Sequence, residues 1–395
     1  MPNPNIRLSI RACVAIAVAA GLFAQSENRG FLRKIEFEKR PAVALSNDKL
    51  ELTIMTEGGA FTNLILHGDP SKMSPFWNPM RLAREAGEKE TFGGAMGHFV
   101  CVDGFGPVSS EEKAAGLPGH GEAYLRQWRL RYSRKEGNTA TASFETELPI
   151  VQERFTRNIR LVDGENVVYV ESELESRLGF DRPACWAEHA TIGSPFLEPG
   201  VTVVDMSAHR AQTRPYEPNP GPLVHRLPSG KDFTWPMAPS VRRGKIDVRI
   251  APKEGGTSDH TTSLMDPARD LVFVTALNPS RRLLLGYVFH REQYPWTQSW
   301  EYYPANMKWA RGLEFSTQPY DLPRRQVIQT NSMFEAPTYR WLPAASKIGS
   351  RFLFFYTETP DGFRKVDDVR LEGGKLIIVD RKAGKQITLA ASIPL

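Results

Sequence analysis

Three side chains in this sequence have the types and settings to move a proton. Glu314 lies in Trp309-Ala-Arg-Gly-Leu-Glu-Phe-Ser-Thr-Gln-Pro, between Leu313 and Phe315. In an extended strand neighbouring side chains point to opposite faces, so if Leu313 and Phe315 pack into a core, Glu314 looks out toward water or a concave groove. Trp296, Trp300, Tyr302, Tyr303 and Trp309 crowd its approach. A carboxylate among aromatic faces is desolvated, its pKa rises, and it becomes a proton acceptor near neutrality. His189, in Glu188-His-Ala-Thr-Ile-Gly-Ser-Pro-Phe, follows the strand-like Pro183–Trp186 and leads into an apolar turn with Phe196. With an ordinary pKa of about 6.5, a histidine there is a natural proton donor. His120 sits between glycines in Gly116-Leu-Pro-Gly-His-Gly, which let the backbone approach a ligand and aim the imidazole.

Each also admits a plain structural reading: an exposed strand glutamate, a histidine bonded to a carbonyl, a solvated loop histidine. Asp259-His260 offers a polar contact for a hydroxylated ligand, or a loop capping pair. Two histidines and a glutamate can bind a metal, but no HExxH and no close His pair is present, so no metal and no cofactor is expected. The GxSxG nucleophile elbow is also absent, which weakens a hydrolase reading.

The elements that must position these groups read as strands. Leu50, Leu52 and Ile54 alternate with Glu51 and Thr53, and Gly58-Gly59 turns the chain back through Phe61 to Leu66. Met80 to Glu88 is compatible with a short helix, and residues 93–121 form a long glycine-rich loop. Strand patterns cover Tyr124–Tyr132, Thr139–Leu148, Val167–Glu175, Val201–Asp205, Lys245–Ile250, Leu271–Leu277, Leu283–His290, Arg351–Thr359 and a hairpin, Val369–Val379, around Gly373-Gly374. No helical periodicity lasts three turns and no repeat is visible, so the expectation is all-β: residues 42–395 as one large antiparallel sandwich, with Pro215–Pro239 an excursion from it.

Composition sets the compartment and excludes some partners. Arg7 and Arg11 precede an apolar run of 13 residues, Ala12 to Ala24, too short to span a bilayer, which needs about 20 residues. Residues 1–24 therefore read as an export signal cleaved after Ala24, residues 25–41 as poorly ordered, and the working location as periplasmic or secreted, with no stable membrane insertion. Cleavage deletes two arginines and lowers the formal charge from +5 to +3. The positive charges are dispersed among acids, which argues against a nucleic-acid partner. Cys101 and Cys185 would remain, and both are expected to be reduced and partly buried.

Taken in order, these pieces resemble the galactose mutarotase-like superfamily of aldose 1-epimerases and hexose-6-phosphate mutarotases. Leu45-Ser-Asn-Asp with Gly58-Gly-Ala-Phe-Thr-Asn-Leu resembles the family's opening hairpin. Gly93 to Pro107, then Pro118-Gly-His-Gly and Trp128, is similar to the glycine-rich segment of the hexose-phosphate branch. His189 with Phe196 resembles the second histidine motif, Arg311 to Pro319 the catalytic glutamate strand, and Tyr339-Arg-Trp-Leu-Pro through Phe352–Thr359 the closing strands. The resemblance implies a super-sandwich with a sugar groove on its concave face. It implies that Glu314 takes a proton from the anomeric hydroxyl, His189 gives one to the ring oxygen and His120 assists there. It sets Asp259, Trp300, Trp309, Arg311 and His98 among the groups that would contact a monosaccharide or glycan end. The arginine that follows the first histidine motif in the phosphate branch is out of register here, where Leu125 and Arg126 stand, which favours a neutral sugar. A non-catalytic carbohydrate-binding sandwich is the alternative, and a sandwich domain associated with polysaccharide lyases or hydrolases a third reading.

Overall fold

Alternating side chains pack two large sheets face to face. The computed structural model describes residues 28–215 and 223–395; the export segment expected at 1–24 lies outside them. The first sheet has 13 strands and the second 8, with every pairing within them antiparallel. Leu52, Phe61, Val100, Trp186 and Phe315 of the first meet Phe144, Ile159, Tyr287, Phe352 and Phe354 of the second in one core.

Six strands of the first sheet carry the site: β1 (His98–Val102), β2 (Trp186–Gly193), β3 (Thr257–Met265), β4 (Trp296–Tyr303), β5 (Ala310–Gly312) and β6 (Glu314–Ser316). Their spatial order is β1, β2, then β5 and β6 end to end, then β4 and β3. The glutamate strand thus lies between β2, which is distant in the chain, and β4, which precedes it by a short connection.

The second sheet is covered on its far face by three C-terminal strands, Asp368–Glu372, Lys375–Asp380 and Lys385–Ala390. Along Leu283–His290, Leu283, Leu285, Tyr287 and Phe289 enter the main core, whereas Leu284 and Val288 enter a second one with Val369, Leu376 and Ile378. Burial on both faces explains why that segment is continuously apolar.

Several sequence expectations change. Residues 28–41 are not poorly ordered: Asn28–Arg29 and Leu32–Phe37 are strands, and Arg40–Ser46 opens a third. Their charged residues suit the edge of a sheet, which lies at this end of the first sheet. The strand expected at Tyr124–Tyr132 begins only at Arg129, because Ala123–Leu125 makes a 3-10 turn whose Ala123 carbonyl accepts from Trp128 Nε1 at 2.9 Å. The loop at 93–121 contains β1 and a helix, Ser110–Ala114, closed by a capping box between Ser109 and Glu112. His189 stands in the middle of β2, not before a turn. Cys101 and Cys185 are free thiols and fully buried.

Candidate functional site

Glu314, His189 and His120, distant in sequence, line one cavity of about 190 Å³ together with Trp77, Phe99, Phe105, His260, Trp300 and Asp321. Leu313 and Phe315 do enter the core, so strand alternation turns Glu314 the other way, into the concave face. Gly312 makes room for its side chain: a Cβ there would lie 2.2 Å from Glu314 Oε1. That oxygen has no hydrogen-bond partner among the described residues and lies 3.4 Å from His189 Nε2.

His189 stacks on Phe99 at 4.2 Å, and its Nδ1 is 3.0 Å from Thr191 Oγ1, so both the plane and the far edge of the ring are held. The rings of His120 and His189 meet edge to face, centroids 5.2 Å apart. His120 adopts a positive φ of 63°. Its backbone N–H donates to the Gly106 carbonyl at 3.0 Å, and the Gly106 N–H donates back to Nδ1 at 3.2 Å. Nδ1 is therefore an acceptor, and the neutral ring carries its proton on Nε2. His260 on β3 lies directly across from Trp300 on β4. Gln298 donates to the Gln318 carbonyl at 3.2 Å, so its Oε1 is free to accept from His260 Nε2 at 3.0 Å. Asp321 Oδ1 lies 3.4 Å from His260 Nδ1 and accepts from Arg214 Nε at 2.7 Å.

Burial dominates the electrostatics. It pushes the Glu314 carboxyl well above the usual carboxylate range, and the charge of Asp321 pushes the same way. It holds His189 well below the usual imidazole value, helped by His120 and His260. His120 and His260 are also lowered by burial, with Asp321 opposing the shift in both. In a water-poor pocket each group prefers its neutral form.

Of the other residues expected here, Trp300 lines the cavity and the remainder do not. Asp259 points to the opposite face of β3 from His260, where it accepts from the Arg226 and Leu227 N–H groups at 2.9 and 3.1 Å and from Arg226 Nε at 2.6 Å. The dipeptide was identified, and alternation selects its histidine. Arg311 faces the same way as Asp259, fully buried, donating to the Val248 and Arg249 carbonyls at 2.6 and 2.9 Å and lying 3.5 Å from Glu301. Trp309 is core: its Nε1 donates to the Pro304 carbonyl at 2.9 Å and its ring packs on Tyr303. His98 lies between the sheets, 2.9 Å from Glu188, which also pairs with Arg157 at 2.6 Å. These four reside behind the site.

The sequence names His260 only as half of the Asp259-His260 pair, and it singles out none of Asp321, Trp77, Phe99 and Phe105 for the site. Recognising Thr257–Met265 as a strand would have exposed His260, but its run of polar residues hides the pattern. Asp321 had a signal in its position, seven residues past Glu314. Among the described residues no group of three or more His, Cys, Asp or Glu is arranged to hold a metal ion.

No family model and no curated protein sequence matches the chain. Solved structures do. A galactose mutarotase-like protein from Clostridium acetobutylicum is 10% identical, with 83% of this chain and 98% of that one covered and a TM-score of 0.54. A galactose mutarotase related enzyme from Lactobacillus acidophilus is 12% identical, with 84% and 100% covered and a TM-score of 0.52. A TPR-domain containing protein from Parabacteroides distasonis is 11% identical, with 84% of this chain and 50% of that one covered and a TM-score of 0.53. At such identities the likeness is one of fold: the chain has the antiparallel sandwich of galactose mutarotase-like proteins.

Proposed function

We propose that this protein, built on the galactose mutarotase-like sandwich, binds one free sugar and interconverts its anomers by opening and reclosing the ring. The observation that carries the reading is the 3.4 Å approach of Glu314 Oε1 to His189 Nε2 at the wall of a cavity of about 190 Å³. That is the liquid volume of about six waters, room for one monosaccharide ring. The aromatic rings of Trp77 and Trp300, edge to face at 6.0 Å, supply an apolar wall of the kind that suits a sugar's C–H face.

Opening a hemiacetal needs one base and one acid at the two oxygens of a single carbon. Glu314, as carboxylate, takes the proton of the anomeric hydroxyl. Its O–H electron pair forms the C1 carbonyl, the bond from C1 to the ring oxygen breaks, and the ring oxygen takes the proton of imidazolium His189. Nε2–H of His120 is available to support that oxygen. The pair has passed from carboxylate and imidazolium to carboxylic acid and imidazole. Rotation about C1–C2 and the reverse transfers close the ring on the other face and restore the pair, so no net proton is consumed.

Polarimetry or NMR exchange spectroscopy on a panel of hexoses and pentoses tests this, with anomer exchange faster than in buffer for at least one sugar as the expected result. The second reading, a carbohydrate-binding protein without turnover, is favoured by the burial that raises the pKa of Glu314 and makes its carboxylate form costly. Measurable binding with no acceleration for any sugar rejects the enzyme in favour of it.

We further propose export to the periplasm or beyond, on the strength of Arg7, Arg11 and the apolar run to Ala24. Mass spectrometry of the N-terminus should find protein in the periplasmic fraction starting after Ala24. Full-length protein confined to the cytoplasm overturns this.

A further inference from the structure

The cavity holds a second carboxylate that the proton transfers do not use. Asp321 follows the glutamate strand in sequence and is fixed from three sides. Arg214 Nε donates to its Oδ1 at 2.7 Å, and Arg214 also reaches the Asp321 carbonyl at 3.3 Å. His260 Nδ1 lies 3.4 Å away. The backbone of Gly106 packs so closely on it that a Cβ at Gly106 would fall 2.6 Å from Asp321 Cβ. Gly106 is also the residue that clamps His120. Asp321 is therefore built into the wall, and it stays partly open, with about a fifth of its side chain (21%) exposed.

We propose that Asp321 makes the cavity select neutral, hydroxylated sugars over anionic ones, with Arg214 holding its carboxylate in place. This rests on the sugar-binding part of the reading above and not on turnover. A carboxylate only accepts hydrogen bonds, so it rewards a ring that presents hydroxyl donors. A sugar carboxylate or phosphate brought against it in a water-poor enclosure meets a like charge and has no donor to offer, and selectivity by repulsion is as effective as selectivity by attraction. Arg214 holds the carboxylate but is not among the residues that line the cavity, so the carboxylate is the charge a ligand meets there. Removing either uncovers the charge of the other, which turns the ion pair into a specificity switch.

The test is a matched pair of ligands differing in one group, glucose with glucuronate and galactose with galacturonate. Their dissociation constants are measured by calorimetry or by quenching of Trp77 and Trp300 fluorescence. Wild type should prefer the hexose. Asp321→Ala leaves Arg214 unpaired at the wall and should shift the hexose-to-hexuronate preference toward the uronate by about tenfold or more. Arg214→Gln leaves the carboxylate uncompensated and should shift it the other way. Equal wild-type affinity for hexose and uronate, or an unchanged ratio in both variants that still bind, overturns the proposal. Absence of binding to any neutral sugar rejects it together with the sugar reading. Intact discrimination without anomer exchange rejects the epimerase reading alone and leaves this one standing.

Discussion

Glu314 and His189 lie 3.4 Å apart, and burial lifts the carboxyl and depresses the imidazole. The pair holds its single working proton from the lowered pKa of His189 up to the raised pKa of Glu314. Below that window both groups are protonated and no base remains; above it both are deprotonated and no acid remains. Exchange rates should therefore form a plateau whose acid limb lies below the ordinary imidazole value and whose alkaline limb lies above the ordinary carboxylate range. A pH–rate profile with an acid limb at an unshifted histidine pKa rejects the pairing. Stability carries the same signature. Glu314 ionises more readily unfolded than folded, so folding stability is lost as pH rises from the unfolded carboxyl pKa through the raised folded one. Glu314→Gln should reduce turnover by about 10²- to 10⁴-fold. It should also raise the melting temperature, and by more at pH 8 than at pH 5. Calorimetry at the two pH values checks this, and an equal or negative shift counts against it.

Within an element, the alternation of a strand decides which of two neighbouring polar residues serves the site. Asp259 and His260 occupy consecutive positions of β3, and only the histidine reaches the cavity. Asp259 is instead the centre of a buried charge network in which Arg226 bridges it to Glu301. Breaking a buried ion pair from one side leaves a charge without a partner and costs about 3–5 kcal/mol. Asp259→Ala should thus lower the urea midpoint strongly while leaving ligand affinity in the surviving folded fraction unchanged. His260→Ala should do the reverse, weakening binding with little loss of stability. An Asp259 variant that folds normally and loses binding would put the wrong face of β3 in the site.

Across the whole molecule, the second sheet is an apolar layer with partners on both sides. Leu284, Val288, Leu353 and Phe355 are covered by Val369, Leu376 and Ile378 of the C-terminal strands, and Arg269 pins that cover through Asp368 at 2.7 Å. Deleting residues 368–395 would uncover a contiguous hydrophobic face, which in a folded domain promotes association. The truncated protein should elute as oligomers or aggregate in size-exclusion chromatography. A monomeric, sugar-binding truncation would show that the cover is dispensable.

The amino-acid sequence by itself determined the all-β class, most of the strands in the second sheet and the outward turn of Glu314. All of these depend on a period of two along a few residues, a local property with apolar residues to mark it. It was mute where the marker was missing. Thr257–Met265 and Trp296–Tyr303 face the polar cavity on one side, so their alternation is not one of apolar against polar. Edge strands at 28–41 looked like disorder for the same reason. Only the tertiary structure decided that His120, His189, His260, Glu314 and Asp321 meet, and that Asp259, Arg311, Trp309 and His98 stand behind them. Which strands become neighbours, and which face of each is concave, is set by packing between residues hundreds of positions apart, and no short stretch of chain encodes that sum.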